Sequence, residues 1–138
     1  MSKFVTKKIK TVNGKQVFMQ LIVLSDEADI KKLDEKNLKG QLDIYEDSLE
    51  SKYTPSFNRL LSIMNAVANL QGLPDTQWRD VTPKKEKVKE YEVKAGDLRV
   101  FAIKVPNGKL VILGGYKNQQ LQNFREFRSL KKQFLESN

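Results

Sequence analysis

The sequence predicts an α+β fold: a mostly antiparallel sheet with helices packed on one face. Three observations predict it. Aliphatic and β-branched runs open the chain and return near residue 88, and long runs with helical spacing lie between and after them. The links inside the second strand group are only long enough for an antiparallel meander.

The first strands are read at Phe4–Val12 and Lys15–Leu24, flanking Asn13-Gly14. Asn-Gly favours a type I′ turn, because both central residues tolerate positive φ. An N-terminal hairpin follows, an extension covering about residues 1–24 of one domain that spans 1–138.

Ser25-Asp26-Glu27 predicts a helix start, with Ser25 as cap and carboxylates at the positive end of the dipole. Ile30, Leu33 and Leu38 give it a thin apolar stripe, which Gly40 interrupts. Gln41–Ser51 continues helically, with Leu42, Tyr45 and Leu49 on one face. Thr54 and Pro55 restart the helix as cap and first helical residue. Phe57, Leu60, Leu61, Met64, Val67 and Ala68 form its stripe, and Gly72 suits its stop. A loop from Gln71 to Lys87 holds Trp78, Arg79 and Pro83, with Trp78 expected in the core.

Three strands are then expected: Val88–Lys94, Leu98–Val105 and Lys109–Tyr116. Ala95-Gly96-Asp97 and Pro106-Asn107-Gly108 supply their turns. Leu110 to Leu113 are apolar at consecutive positions, so that strand is expected to be covered on both faces. A last helix, about Gln119 to Leu135, sets Leu121, Phe124, Phe127, Leu130 and Phe134 on one side. Arg125, Arg128, Lys131 and Lys132 are expected on the other.

The composition excludes several chemistries. With no cysteine and no histidine among 138 residues, there is no disulfide, no Cys/His zinc site, no thiol nucleophile and no Ser-His-Asp triad. No metal or other cofactor is expected. Acid–base chemistry falls to Lys, Arg, Tyr, Asp or Glu. No apolar run is long enough to span a bilayer, and MSKFVTKKIK lacks the apolar core of a signal peptide. A cytoplasmic protein with no membrane partner is expected.

Charge is uneven. Residues 1–78 carry a net +1 and residues 79–138 a net +7. A field of one sign on one half attracts phosphate backbones or an acidic protein; a lysine-rich surface that only aids solubility is the plainer alternative.

The run YEVKAGDLRVFAIKVPNGKLVILGGYKNQ resembles the core of the RelE/HigB-type toxins of bacterial toxin–antitoxin pairs. Leu98-Arg99-Val100, Leu110–Leu113 and Gly115-Tyr116-Lys117 carry the likeness, with Trp78-Arg79-Asp80 and the preceding helical pair, over roughly residues 41–135. The resemblance implies a RelE-like domain with a concave basic sheet that cuts mRNA, usually on the ribosome, and is neutralised by a cognate antitoxin. Relatives of the same fold act on DNA gyrase and cut nothing, so a non-catalytic module binding RNA, gyrase or an acidic protein is the alternative. Asn118 stands where active members often carry a second basic residue, and Phe134 lies where many carry Tyr or His.

RNA cleavage suits a histidine-free basic site, because the substrate's 2′-hydroxyl attacks the adjacent phosphate. The protein deprotonates that hydroxyl and stabilises the added charge. Clustered cations lower a lysine's pKa and so make a base of it. Arg99 is the leading phosphate clamp, by parity on the face of Phe101 and Ile103; pairing with Glu90 or Glu92 is the alternative. Lys117, after Gly114-Gly115, is expected to reach the same phosphate. Lys87 and Lys89 are the candidate bases, projecting from one strand face, and Lys84 and Lys85 complete a basic run. Tyr116 either stacks on a base or packs with Leu110 and Ile112. Arg79, Arg125 and Arg128 are further RNA contacts. Arg99, Lys117 and the lysine run are expected to converge on one open hollow.

Overall fold

The computed structural model describes residues 3–24 and 38–137. The helix start at Ser25-Asp26-Glu27, with Ile30 and Leu33, lies outside the described residues. Among those described, the fold is α+β, a six-stranded sheet in the order β1-β2-β6-β5-β4-β3. The strands are β1 (Lys3–Lys8), β2 (Val17–Leu24), β3 (Trp78–Asp80), β4 (Glu90–Ala95), β5 (Leu98–Val105) and β6 (Gly108–Tyr116). The helices are α1 (Gln41–Ser48), α2 (Thr54–Ala68) and α3 (Gln120–Ser137).

The N-terminal hairpin forms, with β1 antiparallel to β2. Its turn is not type I′. The last strand pair is Lys8 with Met19, and neither Asn13 nor Gly14 has positive φ. The end of α2 claims the loop instead. Asn13 N–H donates to Asn65 Oδ1 (2.8 Å), Asn69 Nδ2 donates to Asn13 O (3.1 Å), and Gln16 N–H donates to Ala68 O (2.9 Å). Gly14 lies so close to Ala68 that a Cβ would collide with it.

β2 then pairs parallel to β6, so the hairpin extends the main sheet and the sheet is mixed rather than antiparallel. Helices also cover both faces, not one. Phe18, Leu60, Met64, Leu98, Val100 and Val111 meet in a core beneath α1 and α2. Leu21, Phe101, Ile103, Leu110 and Ile112 meet Phe127 of α3 in a second core on the opposite face. An interior strand such as β6 must therefore be apolar at consecutive positions, as Leu110, Val111 and Ile112 are.

Local signals moved at several ends. Thr54 is not the cap of α2: Tyr53 precedes it in helical conformation, because a 3₁₀ turn over Ser51–Tyr53 leads straight in. Gly72 does not stop α2. The helix ends at Ala68, and Leu70 takes the left-handed position (φ 63°). Leu70 N–H donates to Val67 O (2.9 Å) and Gln71 N–H to Ala66 O (3.0 Å), a Schellman closure. The expected loop after residue 71 contains β3, antiparallel to β4. On α3, Leu121 is 84% exposed and Lys131 is buried, the reverse of the expected sides.

One irregularity has consequences at the sheet's end. Phe101 pairs with Leu113, but Ala102 pairs with Val111, so Ile112 is the extra residue of a β-bulge. The bulge reverses alternation beyond it. Tyr116 therefore packs with the α1–α2 core and not with Leu110 and Ile112.

Candidate nucleic-acid interface

Alternation on β4 puts Val93 into the α1–α2 core and turns Glu90, Glu92 and Lys94 to the α3 face. β5 does the same: Leu98 and Val100 go to one side, Arg99 and Phe101 to the other. Lys94 is the register partner of Arg99, and Glu92 that of Arg79 on β3. The pairing brings three cations to one carboxylate.

Glu92 is fully buried, and neither of its carboxylate oxygens has a hydrogen-bond partner. Arg79 Nε lies 3.8 Å from Oε1, Lys94 Nζ 3.9 Å from Oε1, and Arg99 Nε 4.0 Å from Oε2. These distances hold charge against charge with no direct bond between them. One negative charge faces three positive ones, leaving a surplus of two. Arg79 reaches solvent most, with its side chain 43% exposed, while Arg99 keeps only 13%. Arg99 Nη1 is further tied to the carbonyls of Gly96 and Leu98, at 2.8 Å each.

Farther along the same face, Glu90 is also buried, beneath α3. Lys131 Nζ donates to Glu90 Oε2 (2.8 Å), Val88 O (2.9 Å) and Glu86 Oε2 (3.3 Å). Arg128 Nε donates to Glu90 Oε1 (3.1 Å), and its guanidinium lies over the Phe124 ring at 4.7 Å. Arg128 is thus engaged in holding helix to sheet. Arg125 is exposed on α3.

The lysine run does not join Arg99. Lys84, Lys85 and Lys87 are exposed in turns before β4, and Lys89 precedes the strand instead of projecting from it. Lys89 Nζ lies 3.7 Å from Asp80 Oδ2. Asp80's carboxyl is held below the usual carboxylate range, chiefly by hydrogen bonds from the Thr82 hydroxyl and amide. Lys89 and Lys94 stand five residues apart, about 16 Å along an extended strand. Lys89 is turned to Asp80, and the cations within 4.0 Å of Glu92 are Arg79, Lys94 and Arg99. The single hollow expected from the sequence divides into two basic regions at opposite ends of β4.

Lys117 lies at the Arg99 end. Its backbone N–H donates to Asp97 O (2.8 Å), while Arg99 holds the carbonyl of neighbouring Gly96. The two residues thus flank one turn. Gly114 and Gly115 serve the protein's own packing: a Cβ at Gly114 would strike the Tyr45 ring, and one at Gly115 the Asn123 amide. Tyr45 O–H donates to Gly115 O (2.6 Å), and Asn123 Nδ2 donates to Tyr116 O (2.8 Å). Burial pushes the Tyr45 hydroxyl far above its ordinary range, so it is a donor and not a base. Trp78 stacks on Tyr91 at 4.8 Å at the border of the α1–α2 core.

Glu92 is one of the two partners the sequence offered for Arg99, and the structure sets it beside that guanidinium. Lys94 escaped the sequence reading, although the period of two in Glu90-Tyr91-Glu92-Val93-Lys94 puts the charged residues on one face.

Compared with known proteins, the chain matches no family model, no curated protein and no solved structure.

Proposed function

We propose that this chain is the RNA-binding member of a toxin–antitoxin pair, holding RNA phosphate with Arg79, Lys94 and Arg99. The observation that carries this reading is the three-to-one ratio of cations to carboxylate around Glu92. A buried carboxylate keeps the cations apart and oriented, and the surplus charge attracts a phosphate. Arg79 presents a guanidinium fork suited to phosphate oxygens, and Arg99, tied to the Gly96 and Leu98 carbonyls, adds its charge beside it. The order of a helical pair, a meander ending in Gly115-Tyr116-Lys117 and a closing helix agrees with the RelE/HigB resemblance. That resemblance suggests mRNA, the ribosome and a cognate antitoxin as partners.

A second reading is that the same cations cleave the RNA, stabilising the phosphorane formed by 2′-hydroxyl attack. The low exposure of Arg99 beside Lys94 favours it, since charge acts more strongly out of water. Against it, Lys89, a candidate base, is turned to Asp80 and not to Glu92 and its cations.

One experiment separates the readings. The purified chain is incubated with end-labelled transcript, with and without ribosomes, alongside Lys94→Ala and Arg99→Ala. Retention of intact transcript, weakened in both variants, is the expected result. Discrete cuts lost in both variants establish the endoribonuclease. No retention and no cuts by the wild-type chain eliminate both.

A further inference from the structure

A cleft of about 450 Å³ opens at the same end of the sheet, lined by Tyr53, Asp97, Tyr116, Lys117, Asn118 and Gln119. We infer that this cleft receives one unpaired nucleobase of an RNA strand whose phosphate rests on Arg79, Lys94 and Arg99. The inference rests on the RNA-binding reading and names the part of the RNA that the chain distinguishes.

The volume falls in the range of small-molecule sites, about 300–1,000 Å³. Its chemistry is that of a base pocket. Tyr53 and Tyr116 meet edge to face, with ring centroids 5.6 Å apart, and both are half-buried. Aromatic rings offer a base a stacking surface, and two rings at an angle offer a stack and an edge. Asn118 and Gln119 carry amides that both donate and accept, as the edge of a base requires. The Asp97 carboxylate accepts from an exocyclic amine. Lys117 supplies a cation for the flanking phosphate, and Lys52 Nζ lies 5.1 Å from the centroid of the Tyr53 ring.

The cleft is preorganised on one side. Tyr116 is braced by Tyr45, whose ring lies 6.3 Å away and whose hydroxyl is bonded to Gly115 O. The Lys117-to-Asp97 backbone bond joins two of its walls. Its position matters as much. The Gly96-Asp97 turn belongs to both features: the Gly96 carbonyl fixes Arg99, and the Asp97 carbonyl fixes the backbone of Lys117. A strand crossing that turn sets a phosphate on one side and the next base on the other. A duplex cannot do so, because its bases are stacked and paired.

The test is equilibrium binding of a single-stranded heptanucleotide RNA, and of a duplex of the same length, to the full chain across a salt series. Tyr53→Leu is expected to weaken single-strand binding about tenfold, the usual loss when a stacking ring is removed. Its salt slope is expected to stay unchanged, because no phosphate contact is lost, and duplex binding is expected to be untouched. Asn118→Ala, at an exposed position, is expected to change the ranking of the four homopolymers while leaving the melting temperature alone. Wild-type single-strand affinity in Tyr53→Leu with an unchanged ranking in Asn118→Ala overturns the base cleft and leaves phosphate binding standing. A wild-type chain that binds neither RNA at low salt overturns both.

Discussion

Lys94 and Arg99 face each other as register partners on β4 and β5, and both bring their charge to within about 4 Å of the buried Glu92 carboxylate. The carboxylate lowers the repulsion between them and takes up part of their charge. Replacing it should therefore separate binding from stability. Glu92→Gln is expected to tighten RNA binding at low salt, because a full positive charge is released. The same change is expected to cost about 1–3 kcal/mol of stability, because a buried amide without partners replaces the ion cluster. Filter binding and urea unfolding of one preparation check both directions.

Glu90 does for α3 what Glu92 does at the open end. It holds Lys131, which is buried, and Arg128. Glu90→Gln is expected to cost about 3 kcal/mol, since the Lys131 ammonium loses its closest carboxylate. The double change Glu90→Leu with Lys131→Met is expected to recover most of that loss, as buried ion pairs replaced by apolar residues often do. Urea midpoints of the single and double variants measure it.

Gln20 is buried on β2, and its Oε1 accepts the backbone N–H of Asp43 at 3.0 Å. A strand residue thereby caps α1, whose own cap position is Gly40. Gln20→Leu is expected to cost about 1–2 kcal/mol, the typical value of a lost cap. Thermal unfolding followed by circular dichroism reads the change.

Lys109 is 7% exposed, its Nζ bonded to Gln16 Oε1 (3.0 Å) and 5.5 Å from the centroid of the Tyr91 ring. Burial, with Lys104 adding to it, lowers its pKa below the ordinary 10.5. Below the folded value, the folded chain carries a charge that water would hold better. As pH climbs from that value towards 10.5, the unfolded chain keeps a proton that the folded chain has released, so stability rises. Lys109→Met is expected to be more stable than wild type at pH 7, by about 1 kcal/mol. The gap is expected to narrow as pH rises through that window. Urea unfolding at pH 7 and at pH 10 tests the sign.

Leu70 holds a left-handed conformation while 62% exposed. Leu70→Gly is expected to stabilise the chain by up to about 1 kcal/mol, the strain relieved less the added freedom of the unfolded glycine. Thermal melting checks it.

Much of the sheet was legible in the sequence, because its signals are local. Leu98–Val105 forms β5 at the expected bounds, and Gly96 with Asn107 supplies left-handed turn positions between the last three strands. What escaped is tertiary. Asn13-Gly14 carries a strong hairpin signal, yet packing against Ala68 and Asn65 overrides it. No residue type announces the bulge at Ile112, and that one insertion moves Tyr116 to the other face. Lys131 reads as solvent-facing on the helix, because the buried Glu90 that draws it inward is 41 residues away. The cation cluster around Glu92 was half legible. Arg99 and Arg79 stood out as arginines and Glu92 as a partner for Arg99, but Lys94 read as an ordinary member of an alternating strand, and its place depends on register.

The clamp is tested most directly by the salt dependence of single-stranded RNA binding, wild type against an Arg79→Ala/Lys94→Ala double variant. Each lost phosphate contact removes about 0.7 from the slope of log affinity against log salt, so the double variant is expected to bind more weakly with a slope shallower by about 1.4. Identical slopes and affinities for the two proteins would contradict the account.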